Sequence, residues 1–299
     1  MKRSLIRYSG LSALFLALPV ICLNISGQTD PSSFQSQDSL KAASDHKGKH
    51  SLYAGAGYGS NMIWLGSTIS GDMPYFSAAL TYGFKNSLYI SASASHLKGM
   101  DPFVAFGSLS SSYSHTFNKW FDISASLAGY KTQKDLQDTL FSDFGYVNFT
   151  AGFDWKILYT RLSLSSIVSD DVRGYIQISN SRYFQTGEFF NGNAFVSFNP
   201  EISMLSGEII KIVVTATGIR KYGLSPPFRH YRKNPANTTE TVTSQFGIMD
   251  FEFSLPVTFN YKSFSLEAEP CYIIPAHKNS QYPAPKGFSL YLSAYIKIF

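Results

Sequence analysis

The chain has 299 residues and a mass of 33.2 kDa, with a formal net charge of +5. Charged residues make up only 15% of it, against roughly 25% in a soluble domain, while aromatic residues make up 16%. This composition excludes a disordered chain, and a mean hydropathy of -0.05 excludes a protein built from membrane-spanning helices.

The first residues predict export. Lys2, Arg3 and Arg7 precede an apolar run over residues 11–23, and small polar residues follow. This order is typical of a secretory signal peptide, which we place at residues 1–28. Because this segment carries three basic residues and no acidic one, its removal lowers the formal charge from +5 to +2. The high pI therefore gives no reason to expect nucleic-acid binding.

The cysteines and short motifs predict neither a cofactor nor a metal site. Cys22 lies within the signal peptide, so Cys271 remains alone and no internal disulfide forms. The chain contains no CxxC, HExxH or phosphate-binding GxxxxGK[ST] motif. Cys271 follows Glu269 on one strand face, and a thiol near carboxylates is less ionised, so we do not expect it to be a nucleophile.

The remaining chain divides into a leader and a long alternating region. Residues 29–49 are polar without a period and predict a flexible leader. From His50 onward apolar and polar residues alternate, as in the segment 76–84, where Phe76, Leu80 and other apolar residues share one face. Period-two alternation with many aromatic residues predicts β-strands over 50–299.

The joints between the predicted strands alternate between tight and long. The tight joints are Lys85-Asn86, Asn118-Lys119, Lys156-Ile157, Ser206-Gly207 and Lys262-Ser263. The long joints are 98–102, 132–141, 169–192, 221–243 and 276–287. This alternation predicts an all-β, antiparallel up-and-down barrel in an outer membrane, with short turns in the periplasm and long loops outside.

The pattern predicts about twelve strands, with ten or fourteen as alternatives. The predicted strands are 50–62, 73–84, 87–97, 103–117, 120–131, 143–155, 158–168, 193–205, 208–220, 244–261, 264–275 and 287–299. Periodicity does not decide whether 169–192 is a loop or a further hairpin. A soluble β-sandwich or lipocalin-like barrel is the rival fold, because its sheets also have one apolar face.

The final segment carries a family resemblance. Residues 288–299 alternate and end in Phe299. The segment resembles the C-terminal strand of Gram-negative outer-membrane β-barrels, in which a final aromatic residue is read by the barrel assembly machinery. The resemblance implies a bacterial outer-membrane location and that machinery as a partner. The chain also resembles barrels of unassigned function from the Bacteroidota. The features that carry this resemblance are Leu255-Pro256, Glu269-Pro270 and the end of the predicted signal peptide at Gly27-Gln28.

The two faces of the predicted strands differ chemically. We expect the apolar face to contact lipid and Trp64, Trp120 and Trp155 to form an interfacial belt. The opposite face is rich in serine, which favours a water-filled pore. The alternative is a lumen packed with large side chains such as Tyr89, Tyr130 and Tyr291.

A few charges point into the predicted lumen. They are Asp154, Arg161, Glu267, Glu269 and Lys297. Asp154 and Arg161 lie on adjacent strands, so an ion pair that braces the wall is the favoured interpretation. Control of ion selectivity is the alternative.

The loop 221–243 is basic and aromatic. Arg229, His230, Arg232 and Lys233 form its cationic centre. Arginine binds phosphate well, so lipopolysaccharide of the outer leaflet is a candidate partner. A solvated loop is the alternative, and no protein partner can be named from the sequence.

The sequence identifies no catalytic residue. A barrel lipase needs a serine bonded to a histidine, and His96 and His115 are the candidates on the outer face. No nucleophile motif surrounds either, so we lean against an enzyme. We expect a passive pore for small polar solutes or ions. A non-conducting barrel that binds at the surface or aids assembly, through loops 169–192 and 221–243, is the first alternative, and a lipid-modifying enzyme is the second.

Overall fold

The computed structural model describes residues 49–70, 72–137, 143–169, 172–215, 239–276 and 285–299, and describes no side chains between 210 and 244. The predicted signal peptide and all but the last residue of the predicted leader lie outside these ranges. So does the basic centre of the loop 221–243.

Seventeen strands and one short 3-10 helix (Lys134–Leu136) make up the regular structure of the described residues. The strands are β1 (His50–Gly59), β2 (Ile63–Trp64), β3 (Ser67–Thr68), β4 (Tyr75–Phe84), β5 (Leu88–Leu97), β6 (Phe106–Asn118), β7 (Phe121–Thr132), β8 (Phe144–Asp154), β9 (Tyr159–Val168), β10 (Val172–Ser181), β11 (Phe184–Gln185), β12 (Ala194–Phe198), β13 (Glu201–Thr215), β14 (Thr239–Ser254), β15 (Val257–Tyr261), β16 (Phe264–Pro275) and β17 (Gly287–Lys297). The described residues contain no helix that is long and apolar enough to cross a membrane.

Twelve of these strands close into one antiparallel barrel. They are β1, β4 to β10, β13, β14, β16 and β17, and each pairs with the next along the chain. Pairing of β17 with β1, with Gly55 opposite Tyr295, closes the sheet. The prediction of an up-and-down barrel of twelve strands is confirmed.

The faces of the wall follow the predicted alternation. Ser77 and Thr81 are buried in the lumen, whereas Phe76 and Leu80 on the same strand are exposed on the outside. Many other large apolar side chains are exposed around the barrel, including Leu109, Leu127 and Phe149. A closed sheet pairs its backbone polar groups within the wall, which lipid requires because it offers no hydrogen bonds. The apolar side chains on the outside are likewise suited to contact with lipid.

The middle of the chain departs from the predicted strand list in two places, and the two differences cancel in the strand count. The question left open for 169–192 is decided in favour of further strand structure, because β10 within this segment is a wall strand between β9 and β13. Ser206-Gly207 is not a turn, because it lies within β13 at a register shift between Leu205 and Ser206. A Ser-Gly pair usually indicates a turn. Here the missing side chain of Gly207 makes room for the ring of Tyr175 on the neighbouring strand.

Two wall strands are interrupted by proline. Pro200 separates β12 from β13, and Pro256 separates β14 from β15. Each pair of segments continues one strand across its proline. On one side of the two prolines β12 pairs with β15, and on the other side β13 pairs with β14. Proline has no N–H to donate to the ladder, which explains the gap in regular pairing.

The two ends of the barrel differ. The turn end, as we call it, carries the start of β1, the end of β17 and the connections 85–87, 119–120, 155–158, 186–193 and 262–263. The opposite loop end carries the connections 60–74, 98–105, 133–143, 169–171, 216–238 and 276–286. At the loop end β13 and β14 remain paired out to Thr215 and Thr239, far beyond their other neighbours. The described part of this ribbon extends about 26 Å along β13 beyond the pairing with β10, at about 3.3 Å per residue.

Three of the four tight turns at the turn end hold a lysine in the left-handed region. The φ angles are 52° at Lys85, 71° at Lys156 and 51° at Lys262. This conformation costs a residue with a Cβ about 1–2 kcal/mol, and glycine or asparagine usually occupies it. Lysine is therefore present at these positions against the local backbone preference.

Candidate functional site: the occupied lumen

The connection between β1 and β4 folds into the barrel as a small hairpin. Strands β2 and β3 pair, and Leu65 and Gly66 between them have φ angles of 46° and 73°. Two positive φ angles in a two-residue turn are those of a tight type I′ hairpin. The apolar side chains of this lumen hairpin are fully buried, namely Met62, Ile63, Trp64, Leu65 and Ile69.

Polar groups at the base hold the lumen hairpin together. The amide nitrogen of Asn61 donates to Asp72 at 2.6 Å. Its amide oxygen accepts hydrogen bonds from the hydroxyls of Thr68 and Ser70, both at 2.8 Å. The Ser70 hydroxyl also accepts from the backbone N–H of Met62 at 2.9 Å. The polar groups at the base of the hairpin are thus paired as it enters the lumen, as is usual for buried polar groups.

Trp64 anchors one side of the hairpin to the barrel wall. Its ring centroid lies 5.0 Å from those of Tyr130 and Phe144, and 5.2 Å from that of Tyr146. Trp64 is 0% exposed, so its predicted place in the interfacial belt is wrong. Trp120 and Trp155 are 56% and 62% exposed near the turn end, where a belt is expected.

The tip of the hairpin touches another part of the wall. A Cβ atom added to Gly66 would lie 2.8 Å from the Met249 Cε and 3.2 Å from an Asp250 carboxylate oxygen. Leu205 on β13 lies beside them, 3.4 Å from the same position. Contacts with β7 and β8 on one side and β13 and β14 on another show that the hairpin bridges the lumen.

Nearer the turn end, Arg161 forms a buried ion pair across three strands. Its guanidinium lies 2.7 Å from a Glu201 carboxylate oxygen, and the side chains are 3% and 1% exposed. Its Nε donates to Ser179 on the strand between them at 3.1 Å. Arg161 therefore pairs with Glu201 rather than with Asp154. The carboxylate of Asp154 instead lies 3.6 Å from Arg182, and both side chains are 40% exposed.

Other carboxylates of the lumen wall are held by hydrogen bonds from neutral groups. Glu252 accepts from the Cys271 thiol at 3.1 Å, and Glu267 accepts from the Thr258 hydroxyl at 2.9 Å. Ser254 hydrogen-bonds to Glu269. In this part of the described lumen acidic groups outnumber basic ones, with Arg161 as the buried cation.

Tyrosine rings fill much of the remaining lumen. Each of four lumen glycines lies directly opposite a tyrosine on the neighbouring strand, in the pairs Gly55–Tyr295, Gly59–Tyr75, Gly83–Tyr89 and Gly207–Tyr175. In every pair an added Cβ would lie within 2.8 Å of a ring atom. The rings lie over the glycines, and Tyr89, Tyr130 and Tyr291 are all buried. The large tyrosine side chains that the second sequence interpretation expected are therefore present in the lumen, whereas several serines of the lumen face, including Ser112 and Ser126, are only half-buried.

The histidines of the described residues do not form a catalytic pair with serine. The Nδ1 of His96 bonds to the carbonyl oxygen of Phe103 at 2.8 Å, and the ring of His115 packs edge-on against Phe117. The Nδ1 of His50 bonds to the Tyr82 hydroxyl. Among the described side chains, no group of three or more His, Cys, Asp or Glu is placed to hold a metal ion.

The remaining predicted site residues are partly outside the described structure. Lys297 is half-buried near the turn end, and its backbone N–H donates to Ser263 at 2.8 Å. Phe299 is exposed, and its carbonyl oxygen accepts from Leu52 at 3.1 Å. The predicted basic cluster of Arg229, His230, Arg232 and Lys233 lies outside the described residues.

No family model and no curated protein matches the chain. Among solved structures it is similar to the NanC porin, with a TM-score of 0.43, 8% identity and coverage of 83% of this chain and 100% of that one. It is also similar to LpxR from Salmonella typhimurium, with a TM-score of 0.46, 5% identity and coverage of 82% and 99%. A bacterial polysaccharide outer membrane secretin gives a TM-score of 0.38 at 8% identity, with coverage of 85% and 100%. Similarities this weak carry no argument about function.

Proposed function

We propose that the protein is a bacterial outer-membrane barrel that does not conduct at rest and that acts by binding at its loop end. The observation that carries this proposal is the occupied lumen. A passive pore needs a continuous water-filled path, whereas here the lumen hairpin crosses the barrel and tyrosines pack below it. The apolar exterior and the closed sheet support the membrane location.

The burial of the hairpin argues against spontaneous opening. Five large apolar side chains leave water when it docks, and each contributes about 1.5–3 kcal/mol. The conformational entropy lost when the connection 60–74 is ordered opposes this gain, so only part of it remains as net free energy of docking.

The loop end supports a binding role. The β13–β14 ribbon projects beyond the wall there, and its connection 216–238 contains five lysines and arginines and no acidic residue. A basic segment with interleaved aromatic residues is suited to phosphate groups, because arginine makes paired, charge-assisted hydrogen bonds. The proposed ligand is the phosphate-bearing part of lipopolysaccharide in the surrounding outer leaflet.

Binding of lipopolysaccharide to the folded barrel tests this role. The variant Arg229→Gln, His230→Gln, Arg232→Gln and Lys233→Gln is expected to bind at least tenfold more weakly, because several charge-assisted contacts of about 1.5–3 kcal/mol each are removed. The measurement is a titration of detergent-folded protein with lipopolysaccharide at low salt.

The matched control removes four exposed lysines from elsewhere at the loop end, in the variant Lys98→Gln, Lys131→Gln, Lys134→Gln and Lys286→Gln. It is expected to retain wild-type affinity. Equal losses in both variants would mean that charge alone attracts the lipid, and an unchanged affinity in the first variant would refute a role for the basic loop.

A further inference from the structure

Each of the four tight turns at the turn end places a lysine next to an aromatic residue. The pairs are Phe84-Lys85, Lys119-Trp120, Trp155-Lys156 and Tyr261-Lys262. All four lysines are exposed. The combination therefore recurs around this end of the barrel, wherever two wall strands are joined by a short connection.

The aromatic partners fix the depth of the lysines. Trp155 and Tyr261 are exposed on the outer side of the barrel and Trp120 is exposed in its turn, and such amphipathic rings prefer the boundary between lipid and water. The Nζ of Lys85 lies 5.2 Å from the ring centroid of Phe84, and that of Lys262 lies 5.4 Å from the ring centroid of Tyr261. The ammonium groups are thus at the level of lipid headgroups.

The backbone conformation of the turn-end lysines is a second, independent indication that these side chains have a function. Lys85, Lys156 and Lys262 occupy the left-handed region, in which asparagine or glycine is more favourable. Turn formation alone does not explain lysine at three such positions. A requirement for positive charge at this end does explain it.

The charge is not balanced locally. Apart from the carboxylates buried in the lumen, the described acidic side chains at the turn end are Glu188 and Asp154, and Asp154 is paired with Arg182. Among the described residues of the loop end, by contrast, exposed lysines and exposed aspartates are equal in number. The lysines there are Lys98, Lys131, Lys134 and Lys286, and the aspartates are Asp72, Asp101, Asp135 and Asp143.

We propose that the turn end is a binding surface for anionic phospholipid headgroups in the membrane leaflet that surrounds it. Each turn offers one ammonium group to a lipid phosphate while the neighbouring ring packs against the glycerol and upper acyl region. Zwitterionic phospholipids such as phosphatidylcholine carry a positive group that offsets their phosphate, so the surface selects lipids with net negative charge.

The test compares phosphatidylglycerol with phosphatidylcholine at the surface of the barrel. Spin-labelled lipids of the two types are added to the full-length barrel in phosphatidylcholine vesicles, and the fraction immobilised by the protein is measured. Phosphatidylglycerol is expected to associate about fivefold more strongly at low salt, which corresponds to about 1 kcal/mol for a lysine near the headgroups. In 1 M salt, where the screening length is about 3 Å, the preference is expected to disappear.

The variant Lys85→Asn, Lys119→Asn, Lys156→Asn and Lys262→Asn is expected to lose the preference. Asparagine tolerates the left-handed turns, so this barrel should be at least as stable as wild type in neutral vesicles. The control variant Lys98→Asn, Lys131→Asn, Lys134→Asn and Lys286→Asn should keep the preference. A turn-end variant that still selects phosphatidylglycerol, or a wild type without any preference, would overturn the proposal.

Discussion

Replacing Arg161 with methionine is expected to lower the free energy of unfolding by about 3–5 kcal/mol. The methionine fills a similar volume but leaves Glu201 buried without its cation. It also removes the donor to Ser179 on the intervening strand. The cost comes from an uncompensated charge in the lumen, because a buried carboxylate is strongly destabilised once its partner is gone.

The exposed pair Asp154–Arg182 is the matched control. Its separation is 3.6 Å and both side chains are 40% exposed, so Arg182→Met should cost no more than about 1 kcal/mol. The double variant Arg161→Met and Glu201→Gln should recover most of the loss, since it leaves no buried charge. Urea unfolding of the barrel in lipid vesicles measures all three. Equal effects of Arg161→Met and Arg182→Met would contradict the buried pair.

Replacing Trp64 with alanine is expected to cost about 3–5 kcal/mol, the range for a large aromatic side chain in a packed core. The substitution leaves a cavity between the hairpin and the rings of Tyr130, Phe144 and Tyr146. We expect the substitution to weaken mainly the docking of the lumen hairpin and to leave the strand pairing of the barrel wall largely unchanged.

Trp155→Ala is the control, because Trp155 lies on the outer side at the turn end and is largely exposed. We expect a much smaller loss of unfolding free energy there. Quenching by brominated lipid separates the two further, since it should reach Trp155 and leave Trp64 unaffected. Quenching of Trp64 to the same extent would place it in the belt that the sequence pattern predicted.

The barrel wall was predictable because its signal is local. Alternation fixes which side chains face the lumen, and a strand long enough to cross a membrane shows this over many residues, as in β4. The pairs Phe84-Lys85 and Trp155-Lys156 were also visible in the sequence. That these pairs lie at the same end of the barrel follows only from the pairing of the strands.

The contents of the lumen were not predictable in the same way. Strands β2 and β3 have two residues each, too few to show a period, so Trp64 was assigned to the membrane boundary instead. The partner of Arg161 was missed for a related reason. Reading Ser206-Gly207 as a turn misplaced the strand of Glu201, and an ion pair two strands apart depends on the register of the whole sheet.

Single-channel recording of the wild-type barrel in a planar bilayer tests the closed lumen most directly. The protein is first shown to be folded by its heat-dependent shift on a gel, and a known porin is recorded under the same conditions. We predict that the folded barrel inserts without conductance steps, because the hairpin around Trp64 crosses the lumen and buried tyrosines lie below it. Reproducible steps from the wild type would contradict the closed lumen and restore the passive pore.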